Sequence, residues 1–464
     1  MALCDLWPSY TVGLYKNETL TPLSEPMGLL EVSLLGGLPA LGAMLGTAMV
    51  GWLMHWFGKK RTGVILSLHY IASWVMITTT GSPAVVLAAR LVAGVAQGGF
   101  CVFGPAFVSE IAESSIRGTL AAGPIALFHL GALLSYLLGW FQSYTNILHI
   151  LLAISVFGLV LQLLVVESPI YLLQCGREAE ARTSIALYRG TRETSEAVLE
   201  ELSRLKRQLS LNVELVLLEN PDEERQSIEV LQLKKTKEEI IWESKPKTPA
   251  WKLLFTNPVS RRAIFIVLST ISLEVFMGMM AIQVYARTLF ELAAPGVSSN
   301  LCSVLLAVVL FCGSATTVVL ADRAGRRILL ISSSALVSLC MLGLGVLLQT
   351  GVGPTWLKAA LLLMYCYTFD YGAGSIPFVL LAEMFLPEVH RYALLVAVEW
   401  MWFLSFLVIA LFNALVIVIN LYGLFYCFAC VAVINVVFCY YVVPETKGLS
   451  AEQIQEVLRR ECSK

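Results

Sequence analysis

The chain has 464 residues, 57% hydrophobic and 14% charged, with a mean hydropathy of +0.76. A soluble domain averages about 45–50% apolar and about 25% charged residues, so this composition excludes an ordinary soluble enzyme and points to a chain that crosses a bilayer many times. The net charge of −1 excludes nucleic acid or an acidic macromolecule as a partner attracted by bulk charge.

Residues 1–28 contain no full span and carry one sequon, Asn17-Glu18-Thr19. A membrane helix takes about 20 apolar residues. Runs of that kind lie at 29–57, 62–80, 83–108, 119–141, 147–166, 264–290, 300–320, 328–348, 356–382, 394–417 and 422–443, eleven helices in all. The expected layout is an outer segment (1–28), a first helix bundle (29–166), a charged loop (167–262), a second bundle (263–443) and a tail (444–464).

Charge orients this layout. Lys59, Lys60 and Arg61 follow the first full helix, Arg323, Arg326 and Arg327 follow the seventh, and Arg391 lies between the ninth and tenth. Half of all Lys and Arg fall in the charged loop, whereas the opposite loops carry almost none beyond Lys16 and Lys358. The positive-inside rule places the charged loop and the tail in the cytoplasm. Asn17 is then external and open to glycosylation. No charged n-region with a short apolar core opens the chain, so no signal peptide is expected.

The charged loop contains "GREAEARTSIALYRG" and "TSEAVLEELSRLKRQL", where apolar residues recur at three-and-four spacing; they predict short amphipathic helices. Residues 212–247 read as a flexible insert. The eleven cysteines are scattered through apolar runs. Cys427 and Cys430 form a C-x-x-C, but without the context of a redox motif, and they read as small apolar side chains. No metal spacing and no catalytic constellation appears, so neither cofactor nor enzymatic activity is expected. The glycines of "GVAQGG" sit inside a span, with no Gly-Lys-Ser/Thr after them, and read as close helix packing.

Glu274 stands out. It interrupts the run 264–290, and an ionisable group at membrane depth is a functional hypothesis by default. A weak repeat also stands out. "GWLMHWFGKKR" matches "ADRAGRR", and "PAFVSEIAESSIRG" matches "PFVLLAEMFLPEVHRYA", each pair six helices apart. Parallel repeats of this kind mark secondary transporters.

At these residues the chain resembles the sugar porter family of the major facilitator superfamily, in particular insect facilitated trehalose transporters and vertebrate glucose facilitators. The signatures are Asp322-Arg323-x-Gly325-Arg326-Arg327, Arg90-x-x-x-Gly94-x-x-x-Gly98, Glu110 with Arg117-Gly118, Glu167-Ser168-Pro169, Glu383 with Arg391, and Pro444-Glu445-Thr446-Lys447-Gly448. The resemblance implies an all-α membrane fold of two six-helix bundles, with the family's first helix largely missing here. "LWPSYTV" (6–12) is similar to that helix's outer end, so either the sequence starts late or the form is shortened. It further implies gating by charged residues at cytoplasmic helix ends: Arg90, Glu110, Arg117 and Glu167 in the first half, Asp322, Arg326, Arg327, Glu383, Arg391 and Glu445 in the second.

The family reads sugar hydroxyls with amides and a tryptophan. Carried over position by position, those places hold Ile125, then Glu274, Val275 and Met280, then Phe378, then Trp402. His129, four residues after Ile125, shares its helix face. The first-half motif also departs from the family, with His55-Trp56 where Asp-Arg is usual. The expected function is facilitative (uniport) transport of a hexose or trehalose by alternating access across the plasma membrane, with a small solute and the bilayer as partners. The alternatives are a carrier of a less polar solute, such as a plant phenolic or glycoside, and a non-transporting sensor or relic.

Overall fold

The computed structural model describes residues 23–24, 27–112, 117–219, 250–385, 387–449 and 451–462. The sequon at Asn17, the segment 6–12 and most of the expected insert, 220–247, lie outside them.

The first bundle comprises α1 (Leu29–Thr79), α2 (Pro83–Ile111), α3 (Arg117–Phe141) and α4 (Tyr144–Leu164). α1 is two spans in one, because Gly58 at φ 81° breaks it between them. Three short helices follow, α5 (Pro169–Gln174), α6 (Glu178–Arg189) and α7 (Glu196–Glu219). Their amphipathic faces bury Leu172, Ala181, Ile185, Val198 and Leu202 in a small core of their own. α7 runs eight residues into the expected insert.

The second bundle begins at α8 (Ala250–Thr256) and α9 (Pro258–Phe276), then α10 (Met279–Val284) and α11 (Ala286–Ala293). The expected single helix over 264–290 is thus three pieces. Gly278 takes φ 85°, and the chain bends again at Tyr285. α12 (Ser299–Ala324) and α13 (Arg326–Thr350) come next. The expected span over 356–382 is also interrupted: α14 (Thr355–Thr368) passes through a π-turn (Phe369–Ala373) into α15 (Ile376–Glu383). Such turns are frequent at functional sites. α16 (Pro387–Tyr441) covers two spans broken at Asn420, φ 60°, and α17 (Ala451–Cys462) closes the described chain. Counted by spans, the described helices make the eleven that the sequence predicts.

Glycine explains how closely α1 and α2 approach. A Cβ on Gly42, Gly46, Gly94 or Gly98 would strike the backbone carbonyl of Leu91, Val95, Pro39 or Ala43 respectively. Lipid tails are as apolar as leucine, so helix association in a membrane rests on such close packing. The outward stripe of α4, with Ile154, Phe157, Leu161 and Leu164 exposed, is what a lipid-facing helix presents. The two largest cores straddle the bundles. One joins Ala132 and Tyr136 to α10–α16; the other joins Ala40 and Ala43 to α9 and α16.

Gly46→Val and Gly98→Val should each wedge α1 from α2, an overpacking loss of about 1–3 kcal/mol or more. Gly131→Ala and Gly158→Ala, where a Cβ meets nothing within 4 Å, should be neutral or slightly stabilising. Thermal unfolding of the detergent-solubilised protein checks this, and equal Tm values for the two pairs would contradict it.

Candidate functional site

One end of the bundle carries two matching carboxylate clusters. In the first bundle, Gly58 turns the chain so that the amides of Lys59 and Lys60 donate to Glu167, at 2.7 and 3.1 Å. A Cβ at Gly58 would sit 2.5 Å from that carboxylate. Lys59 Nζ lies 3.1 Å from Glu110, which also accepts from Ser168 Oγ at 2.5 Å. The second bundle repeats the device. Gly325, φ 96°, turns the chain so that the amides of Arg326 and Arg327 donate to Glu445, at 3.0 and 3.2 Å. Arg326 pairs with Glu383 at 2.8 Å, and Thr446 Oγ1 donates to the same carboxylate at 2.6 Å. In both places a carboxylate receives the first amides of a helix, where the helix dipole favours negative charge, and a second acid is held by one cation and one hydroxyl.

The short helices are stapled to this end. Arg189 pairs with Glu201 at 2.6 Å and donates to the Ile111 carbonyl at 2.9 Å. Ser184 and Tyr188 donate to the carbonyls of Glu167 and Val166. Burial pushes the Tyr188 phenol up to about 12, which keeps it a neutral donor.

The links between bundles lie elsewhere, in three levels. Farthest from the charged end, Asn413 Nδ2 donates to Ser33 at 3.0 Å and Tyr136 donates to the Gln283 carbonyl at 2.8 Å. Halfway along the helices, His129 of α3 meets Asp370 of the π-turn at 3.8 Å, with Ser314 of α12 bonded to both. Nearer the charged end, Thr47 donates to Glu399. One turn beyond, a Cβ on Gly51 would meet no atom within 4 Å, and Trp52, Trp56 and Leu395 are exposed. The described polar links between the bundles thus lie at the far end, in the middle and, toward the charged end, at Thr47 with Glu399.

The family model of the sugar (and other) transporters matches residues 14–219 and 217–458. The chain belongs to that family. The facilitated trehalose transporter Tret1 of Bombyx mori is 27% identical over 92% of this chain and 78% of its own. Tret1-1 of Drosophila sechellia is 28% identical over 95% of this chain but 48% of its own, so the chain spans about half the length of that relative. Among solved structures, the inward-open xylose transporter XylE from E. coli matches with TM-score 0.71 at 18% identity, covering 98% of this chain and 95% of that one. The same protein bound to 6-bromo-6-deoxy-D-glucose gives 0.66 at 19% identity, over 98% of this chain and 96% of that one. The fold is that of the major facilitator superfamily.

The transporter brings together Glu110 with Glu167, and Arg326 with Glu383 and Glu445. It does not bring Arg90 to them. Arg90 is buried near the far end of α2, twenty residues before Glu110, roughly 30 Å along a helix. Arg327 donates to the Tyr440 carbonyl and stacks on that ring. Arg391 is exposed, donates to Tyr392 and stacks on it. The side chains of Arg117, Asp322 and Ile125 lie outside what the structure describes.

Of the midplane candidates, Glu274 is 4% exposed and its Oε2 has no partner. Val275 is packed in the core beside α16. Trp402 is buried with its indole nitrogen unpaired. Met280 and Phe378 lie half-buried at the edges of the two large cores. Sequence reasoning missed Asp370, Ser314, Thr47 and the place of Glu399. Asp370 carried the same signal as Glu274, an acid inside an apolar run.

Glu167→Ala or Glu445→Ala leaves helix-start amides without their acceptor, a loss of about 1–3 kcal/mol. Each should lower the Tm of the solubilised protein by several degrees, whereas Glu180→Ala, in an exposed pair, should not. An unchanged Tm in the first two would contradict the matching-cluster assignment.

Proposed function

We propose that this protein is a facilitative carrier of a small sugar, a hexose or a disaccharide such as trehalose, working by alternating access across the plasma membrane. The observation that carries the reading is the three-level polar contact between two pseudo-repeated bundles, with polar groups buried at the middle. Rocking about that middle exchanges which end is open. Family membership and the trehalose and xylose transporters it resembles support a sugar as cargo.

The charged end and the tail are cytoplasmic in this reading, by the excess of Lys and Arg there. Asn17 is external and a glycosylation acceptor. The charged-end clusters, together with Arg117, Asp322 and Arg391, act as the inner gate. They close against each other across the bundles in the outward-open state; in the present one Glu110, Glu167, Glu383 and Glu445 are held within their own bundles. Glu274, Met280, Phe378 and Trp402 face the solute, with Ile125, His129 and Val275 beside them. Asp370 and Ser314 supply hydroxyl-binding groups where the family's amides are replaced.

A less polar solute is the second reading. It is favoured by the apolar Met280, Phe378 and Trp402 around few polar groups.

Uptake of labelled glucose and trehalose by the full-length chain, in cells without their own carriers, tests this. Saturable uptake of at least one sugar is expected, reduced about tenfold or more by Asp370→Ala, in the range for an unpaired hydroxyl at a site. Surface protein that takes up neither sugar would overturn the sugar reading, and competition by phenolic glycosides alone would favour the second.

A further inference from the structure

A groove of about 390 Å³ opens on the side of the first bundle. One wall is the second span of α1, with Ser67, Tyr70 and Trp74. The floor is Phe100 of α2, and the other wall is α4, with Gly158 and Gln162. Tyr70 and Phe100 stack at 5.9 Å and 18°. The outer edges are apolar and exposed: Leu68 and Val75 on α1, Ile154 and Phe157 on α4. The mouth therefore opens onto the lipid-facing surface of α4. At Gly158 a Cβ would meet no atom within 4 Å, so the mouth is open there.

The chemistry changes along the groove. Ser67 and Ser155 turn their hydroxyls back to the carbonyls of Gly63 and Leu151, both at 2.9 Å. The middle thus presents hydrocarbon and aromatic faces. The end nearer the charged clusters differs. Gln162 lies over Gly63, where a Cβ would sit 2.1 Å from its Nε2. That nitrogen is buried and has no partner. One turn further along α1 stands Lys60. Positions 60, 63, 67, 70 and 74 recur at three-and-four spacing, so Lys60 sits on the helix face that lines the groove. Glu167 takes its backbone amide, but its ammonium has no ion-pair partner among the described residues. Arg61, beside it, is exposed.

Length sets how far an occupant reaches. Leu151 and Gln162 both line the groove, eleven residues apart on α4, roughly 16 Å of helix. That is half of a hydrocarbon core of about 30 Å, so the groove spans one leaflet, the one at the charged end. An apolar slot of that depth, ending in an unpaired donor and then a free cation, has the polarity of a lipid: acyl chain, ester carbonyl, anionic headgroup, in that order.

We propose that the groove binds an anionic phospholipid of the leaflet at the charged end. One acyl chain lies between α1 and α4 against Tyr70 and Phe100, an ester carbonyl accepts from Gln162, and the headgroup phosphate meets Lys60 and Arg61. Basic sites between membrane helices recognise lipid head groups in this way. A sterol would fill the slot and leave Lys60 unanswered. The proposal does not depend on which solute is carried.

The probe is phosphatidylglycerol against phosphatidylcholine with the same acyl chains. Full-length protein is purified in detergent with an equimolar mixture of the two, and native mass spectrometry reads the lipid retained on the intact chain. One phosphatidylglycerol should be retained in preference, by about fivefold, the effect of one lysine near an anionic surface. Lys60→Gln keeps the backbone amide and should bring the preference to about one. Gly158→Phe should fill the mouth and abolish retention of both lipids. Gly131→Phe, equally open but on α3, should leave it unchanged. Retention by Gly158→Phe at the parent's level overturns the proposal, as does a preference that Lys60→Gln leaves intact. A parent that retains no lipid, or from which cholesterol displaces phosphatidylglycerol, overturns it too.

A second readout needs no filled groove. In phosphatidylcholine bilayers, phosphatidylglycerol with dibrominated chains should quench tryptophan fluorescence more than dibrominated phosphatidylcholine does. Trp74→Phe should remove that excess. An excess that survives in Trp74→Phe overturns the placement of the chain.

Discussion

Polar groups inside a bilayer must find their partners within the protein, and in this chain that constraint decides where the two bundles touch. Ser33 with Asn413, Tyr136 with Gln283, His129 with Asp370 and Ser314, and Thr47 with Glu399 each satisfy a polar atom of one bundle with an atom of the other. These links define one discrete arrangement of the halves. Two-state behaviour follows from such a set, because each link is made or broken rather than stretched.

Within each bundle the constraint takes another form. The glycine turns at Gly58 and Gly325 aim helix-start amides at Glu167 and Glu445, and a side chain at either glycine would collide with that carboxylate. The same carboxylate–cation–hydroxyl set appears twice, with Lys59 and Ser168 in one bundle and Arg326 and Thr446 in the other. The weak repeat in the sequence is a strong repeat in geometry. His55-Trp56 leaves the first set intact because it relies on the backbone of Lys59 and Lys60 and not on the replaced Asp-Arg.

Most of the fold was legible because span length and apolar composition register hydrophobic thickness directly. The eleven spans, the amphipathic helices after Glu167 and the paired clusters all have local signatures. The breaks at Gly278 and in the turn Phe369–Ala373 were not legible. A broken helix keeps the composition of a straight one, and only the tertiary site that accepts the freed backbone groups reveals the break. The cross-bundle pairs were hidden for a related reason. His129 and Asp370 are 241 residues apart, and each alone reads as an isolated polar residue in an apolar run. Arg90 was misplaced because its motif is shared with the gate in sequence while its position along α2 is at the other end. The cysteines needed no special account, since Cys427 and Cys430 are free and exposed on the bundle surface.

The central claim is that the two bundles must part at the far end for solute to enter. Ser33 and Asn413 are in direct contact there, so cysteines at both positions, in the full-length chain lacking its native cysteines, can be joined by oxidation in the membrane. Uptake should fall to background when the bond forms and return on reduction. Full uptake through the locked protein would contradict the account.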